Sequence, residues 1–461
     1  MTAETLTVLQ GGAPILALVL HGSPSTRRRP GTVHLSLRGL PRPEPPAPGW
    51  VLVRPSLTGI ASADLALLHP DDVAAPVGPR RPLPMVPGSE VVGVVEEASG
   101  TRWAREGQRV LVEPNAGCLI RGFASCPRCI AGEMELCENR DRNSPLGPGA
   151  DGGVAAGGGW SEGLLVNEEM LLPADGISDQ RGVLGVSLAT AIHAALRWNR
   201  RGDRVAVIGS GTTTRLLVAA LRRLHPDVDI TVVVDARGPQ RSGRRRRKLR
   251  GEPAADERIV AAALRDLGAA RVWRDTPDHI VDSTAALVSA RRIRQPTSVL
   301  PILDRGLDAV FDCRGTAASV TLALALLRSA GTLVVCGRMG RLELDWSAVW
   351  ARELTIAGSG GFGREPAGWR TFAAVREWLT DASFPADSLV THRYPLAEFD
   401  KALATAAAGE AAGAVKVVFE DPSSPLRERR PPAEDDLPVE ESPLLLATSA
   451  AHLRRTDAGQ G

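Results

Sequence analysis

Four cysteines fall within twenty residues: Cys118, Cys126, Cys129 and Cys137. Cys126 and Cys129 form a Cys-x-x-Cys knuckle, and seven residues separate it from the cysteine on either side. Thiolates at this spacing can close around one tetrahedral zinc and leave no open position. A closed site is structural: it holds a lobe together and does no chemistry. The same residues are also open to two disulfides or four free thiols. The other two cysteines, Cys313 and Cys336, sit in apolar runs and read as core residues.

A second pattern suits an anionic cofactor. Gly209, Gly211 and Thr214 occupy the three positions of a Gly-x-Gly-x-x-Gly turn, between the apolar run RVAVIGSG and the helix-spaced TTTRLLVAALRRL. The first glycine permits the turn, the second lets backbone approach a pyrophosphate, and the third allows close helix–strand packing. Here the third is Thr214, which pushes the helix outward or demands a compensating cavity. Asp235 ends the next apolar run, 21 residues after Thr214. An acid there suits the ribose diol of NAD, whereas Arg237 and Arg241 just beyond suit the 2′-phosphate of NADP. NAD and NADP both stay open, with Asp235 tilting the reading to NAD.

The segment GCLIRGFASCPRCIAGEMELCENR, Gly117 to Arg140, resembles the structural zinc lobe of the medium-chain, zinc-dependent alcohol dehydrogenases. The threonine, sorbitol and glucose dehydrogenase-like branches are most similar, and the resemblance runs from about Leu16 to about Glu420. It implies a GroES-like, mostly-β catalytic domain plus a Rossmann domain with a doubly wound parallel sheet. It also implies a nicotinamide cofactor and a homo-oligomer, dimer or tetramer.

The resemblance implies a catalytic zinc as well, and here the chain departs from the family. TGIASADLALL carries Ala61 where the family has a cysteine ligand, and Ala63 at the following relay position. VPGSEVVG carries Ser89 in place of the histidine ligand, with Glu90 kept. VLGVSLATAIHAAL carries Val186 where a cysteine or glutamate would stand. His69 and His193 could rescue the site, but each lies on an apolar helical stretch and reads as a core or surface residue. Without a Lewis acid worth several kcal/mol, alcohol oxidation slows by roughly three powers of ten. The polar groups left near the position are Ser62, Ser89 and Glu90, together with Asp64, a scaffold residue of the family.

Two functions follow. One is a zinc-free NAD(P)-dependent oxidoreductase acting on a carbonyl, alcohol or activated double bond of a small metabolite. The other is a degenerate, non-catalytic dehydrogenase serving as cofactor sensor or assembly partner.

Apolar runs of strand length dominate residues 1–177, the expected catalytic domain, with its zinc lobe at 117–140. Buried strands then alternate with amphipathic helices over 178–357, the pattern of parallel βαβ units. Residues 358–420 are expected to return to the first domain. The basic stretch 238–253 reads as an insertion and 421–461 as a disordered tail. The 461 residues carry a net charge of +2, too near neutral for a nucleic-acid partner. No apolar run approaches the length of a membrane span, and the start of the chain has no leader-like pattern. A cytoplasmic protein is expected. Lys248, Lys401 and Lys416 are the only lysines, which points to a GC-rich bacterial genome.

Overall fold

The computed structural model describes residues 15–22, 33–68, 83–140, 142–146, 158–199, 202–234, 257–294, 299–366 and 368–420. His69, Asp235, Arg237, Arg241, the basic stretch 238–253 and the tail 421–461 lie outside the described residues.

The chain divides into two compact units. The first takes the residues up to Val186, then His392–Ala407 and those from Val417 onward; the second takes Ser187–Thr391 and Ala408–Lys416.

In the first unit, β1 (Ile15–Gly22) and β2 (Val33–Leu40) form an antiparallel ladder in which His21 faces His34. The main sheet contains β3 (Trp50–Gly59), β4 (Glu90–Ala98), β5 (Arg109–Val112), β6 (Leu164–Asn167) and β7 (Leu171–Pro173). Its order is Val390–Pro395, Lys416–Glu420, β3, β4, β5, β7, with β6 also on β3. β-Branched residues suit a pleated, half-buried surface, and Val51, Val53, Val91, Val95, Val110 and Val166 build the core. Pro55 interrupts β3, and the register with β4 shifts between Pro55 and Leu57, as a residue without an N–H donor requires. Opposite it stands Gly93, where a Cβ would lie 2.3 Å from the Arg54 carbonyl. The ladder then ends with Gly59 beside Glu90. That register sets the turn after β3 next to the turn before β4.

Three helices matter to this unit: α1 (Ser62–Leu68), α2 (Pro127–Ile130) in the cysteine segment, and α3 (Asp179–Gly182). Gly182 packs so tightly that a Cβ would lie 2.9 Å from both Leu111 and Val92. Helix α4 (Gly185–Leu196) follows and carries the chain across the unit boundary.

The second unit is a parallel sheet of β8 (Arg204–Ile208), β9 (Asp229–Val233), β10 (Arg271–Trp273), β13, β14 and β15. The short β11 (Arg292–Ile293) and β12 (Ile302–Leu303) pair apart from it. β13 is Leu307–Asp312, β14 Leu327–Val335 and β15 Thr355–Gly358. The order is β10-β9-β8-β13-β14-β15. Val205, Ala206 and Val207 are wholly buried, as a central parallel strand covered on both faces requires. Helices α5 (Thr212–Leu224), α6 (Glu257–Asp266), α7 (Pro277–Val288) and α8 (Ala317–Leu326) alternate with the strands. The order reverses between β8 and β13, so the crevice beyond their carboxyl ends is the ligand position of such sheets.

Two expectations shift. Thr355–Gly358 pairs in parallel with β14 and completes this sheet, so the return of the chain comes at His392 and not at 358. The first crossing falls after Val186, inside α4, and not after 177. Both boundaries sit inside continuous periodic runs, where pattern marks no break. Cys313 and Cys336 are half-buried just beyond the ends of β13 and β14.

Candidate functional site

The four cysteines of the Gly117–Arg140 segment converge. Their sulfurs lie within 4.8 Å of one another, and none is in a disulfide. Tetrahedral Zn–S bonds of about 2.3 Å place sulfurs roughly 3.8 Å apart, so the spacing fits zinc. Cys118 Sγ and Cys137 Sγ are 3.5 Å apart. Local backbone brings them there. Cys126 precedes α2, whose first residue is Pro127, and Gly117 leaves room where a Cβ would press on Met134 and Cys129.

Donors point at the sulfurs. The Cys118 N–H donates to Cys129 Sγ at 3.4 Å, and Asn139 Nδ2 donates to Cys118 Sγ at 3.2 Å. Backbone N–H groups of Cys129 and Glu138 donate to Cys126 and bring its thiol down to about 6. Burial pushes Cys129 and Cys137 the other way. Donors aimed at sulfur favour thiolates, the form a metal takes. The interior of the lobe is these sulfurs plus Phe123, over whose ring Arg121 and Arg142 stack at 5.3 and 5.0 Å.

The turns bearing Ala61 and Ser89, where the resemblance implies ligands to a second metal, are held in one frame. Asp64, 2 % exposed, accepts from the Ala61 N–H at 2.9 Å and from the Gly88 N–H at 3.3 Å. It thereby ties the turn bearing Ala61 to the turn bearing Ser89. Trp160 locks the same place: its Nε1 donates to the Gly59 carbonyl at 3.2 Å, and its ring lies where a Cβ on Gly88 would be. Gly88 has φ +100°, which favours glycine. Thr58 Oγ1 donates to the Glu90 carbonyl at 3.1 Å. Ser62 is exposed on α1, Ser89 is half-buried and Glu90 is buried. Val186 stands in the first turn of α4. Among the described residues the cysteine quartet is the only group of three or more metal-ligating side chains so gathered.

His193 is tied elsewhere. Its Nδ1 lies 2.8 Å from Glu365 Oε1, which also accepts from Thr371 Oγ1. Burial raises the Glu365 carboxyl, but the hydrogen bonds from His193 and Thr371 outweigh it and hold the group below the usual range. Glu365 was not singled out in the sequence, because 172 residues separate it from His193.

The glycine turn after β8 has the geometry of an anion cradle. Gly209 has φ +139°, and a Cβ there would meet Thr214 Oγ1 at 2.5 Å. Thr214, 1 % exposed, therefore fits by using the space that Gly209 leaves, which answers how the helix tolerates a third residue larger than glycine. Around Gly211 a Cβ would meet nothing within 4 Å, so backbone is open to approach. Gly211 caps α5 without a side-chain bond, and no acid lies in the first turn, so the N–H groups and the dipole stay available to an anion. These features fit a dinucleotide pyrophosphate.

Residues 47–176 match the family model described as alcohol dehydrogenase GroES-like domain, and residues 256–381 match that described as zinc-binding dehydrogenase. A sorbitol dehydrogenase of Halalkalibacterium halodurans is 25 % identical over 387 residues, 83 % of this chain and 95 % of its own. An L-threonine 3-dehydrogenase of Paraburkholderia phymatum is 26 % identical over 365 residues, 78 % of this chain and 89 % of its own. The crystal structure of 2R,3R-butanediol dehydrogenase from Bacillus subtilis superposes with a TM-score of 0.61 at 21 % identity, covering 88 % of this chain and 99 % of that one. With both domain models matched in order on the two parts of the fold, the chain belongs to the zinc-dependent alcohol dehydrogenase family of the medium-chain dehydrogenase/reductases, a family of NAD(P)-dependent oxidoreductases.

Proposed function

We propose that this alcohol dehydrogenase-like oxidoreductase carries one structural zinc, on Cys118, Cys126, Cys129 and Cys137, and no catalytic zinc. It acts on a carbonyl, an alcohol or an activated double bond of a small metabolite. One observation supports the reading: Ala61, Ser89 and Val186 stand where the resemblance implies the donor set, and Asp64 and Trp160 hold together the turns that bear Ala61 and Ser89. Alanine and valine side chains have no electron pair to give, and one serine hydroxyl does not hold a zinc ion. The residues do not fit a catalytic metal, and no step passes through one.

When bound, the nicotinamide cofactor supplies hydride chemistry. Gly209, Gly211 and Thr214 make room for its pyrophosphate, and Asp235 and Arg237 are the residues that would meet the adenosine ribose. Conjugated substrates suit a site without a Lewis acid, because charge that develops on reduction is already spread over the substrate. Ser89, half-exposed between Gly88 and buried Glu90, is the first candidate to pass a proton, with Glu90 orienting it and Ser62 as the outer hydroxyl. The protein acts as a dimer or tetramer in the cytoplasm.

Metal analysis combined with titration of NADH and NADPH by nicotinamide fluorescence tests this. We expect one zinc per chain, micromolar binding of one dinucleotide, and turnover of enones or activated carbonyls. Two zinc ions per chain would overturn the metal assignment. Absence of binding at millimolar cofactor would overturn the oxidoreductase mechanism.

A further inference from the structure

Arg215 lies in the second turn's approach of α5, four residues past Gly211, and is 5 % exposed. The residues that follow it, Leu216 to Leu221, are all buried and apolar. Helical side chains lean toward the N-terminus, and Arg215 does so: its Nε donates to the Ser210 carbonyl, 3.2 Å away, in the glycine turn. Among the described residues it forms no ion pair, and its Nη nitrogens have no hydrogen-bond partner. Burial without a counter-charge depresses its basicity. A charge kept in such a place is a costly arrangement unless an anion completes it.

The other helix starts sharpen the point. Thr276 caps α7, accepting from the His279 N–H at 3.4 Å, and Thr316 with Ser319 closes a capping box on α8. Those starts carry side-chain caps from the protein itself. The start of α5 has a glycine cap, no acid in its first turn, and a buried cation folded back onto the turn.

We propose that Arg215 is the cationic partner of the dinucleotide's pyrophosphate, adding a charged donor to the backbone cradle at the start of α5. The inference rests on the dinucleotide-binding reading above. It makes the affinity of this turn depend on a side chain as well as on backbone geometry. The same cation accounts for the lack of any acidic residue in the first turn, where a carboxylate would occupy the anion's place.

The test compares the full chain with Arg215→Leu and Arg215→Lys. Nicotinamide fluorescence gives the dissociation constants of NADH and NADPH, and thermal shift reports protection by inorganic pyrophosphate. Arg215→Leu should weaken both dinucleotides equally, by roughly 10- to 100-fold, the range for a lost charge-assisted contact. It should abolish pyrophosphate protection while the ligand-free protein melts at the same temperature or higher. Arg215→Lys should recover part of the affinity. Unchanged binding in Arg215→Leu overturns the proposal, and so does a loss confined to NADPH, which would assign Arg215 to the 2′-phosphate. If the unsubstituted chain binds neither dinucleotide, the oxidoreductase reading falls together with this one. Should Arg215→Leu not fold, Arg215→Gln removes the charge, keeps a donor for Ser210, and carries the same readout.

Discussion

On the proposed reading, two regions of the first unit stand against each other: the cysteine lobe and the place where the family resemblance implies a second metal. At the lobe all four thiols remain, and N–H donors still point at their sulfurs. At the second place stand Ala61, Ser89 and Val186, while the Asp64 carboxylate and the Trp160 indole hold the adjoining turns. The difference separates what a metal does for folding from what it does for chemistry. The lobe has little else to fold around, so losing one thiol removes its interior. The second position is framed by Asp64, Trp160 and the β3–β4 ladder, so its ligands can change without loss of the fold.

The largest expected effect breaks the first half of this comparison. Cys126→Ser should lose the zinc and destabilise the protein by more than about 4 kcal/mol, the range associated with loss of a structural metal. Zinc content and chemical denaturation measure both. A variant that keeps its zinc and its midpoint refutes the structural assignment.

The second test tries to undo the difference. The triple substitution Ala61→Cys, Ser89→His and Val186→Glu restores a family donor set on the retained frame. We expect a second equivalent of zinc per chain by metal analysis, with the fold intact by circular dichroism. If the content stays at one, the frame has closed as well as lost its ligands.

The smallest effect probes the frame itself. Asp64→Ala leaves the N–H groups of Ala61 and Gly88 without their acceptor, which should cost about 2–3 kcal/mol. Zinc content should remain at one per chain, because the lobe shares none of these bonds. Denaturant melts with parallel zinc assays measure this; a loss of zinc in Asp64→Ala would show that the two positions are coupled.

Much of this contrast was legible in the residues. The spacing of Cys118, Cys126, Cys129 and Cys137 carries the closed site, because ligands to one ion close together in sequence need only local turns. Ala61, Ser89 and Val186 were readable because each stands in a segment with recognisable neighbours. The turn at Gly209 was readable for the same reason. What Thr214 does was not, since its fit depends on the space above Gly209 and not on its own type. Glu365 escaped notice because its partner comes from another part of the chain, and Arg215 because one arginine in a helical pattern reads as a solvated face. The return of the chain to the first unit was misplaced: it was expected at 358, and only the contacts of the fold put it at His392.

The lobe is built inside out. Leu119, Ile130 and Leu136 are 76 %, 75 % and 50 % exposed, while sulfur and Phe123 make its centre. Apolar burial therefore does little to order it, and on the proposed zinc assignment its order would follow the free zinc around it by mass action. If the lobe binds zinc as proposed, then while free zinc exceeds the dissociation constant of the folded lobe each tenfold drop removes about 1.4 kcal/mol of its stability. Cellular abundance of this chain is then expected to track zinc supply, rising in replete cells and falling under chelation, even though the proposed reaction itself uses no metal.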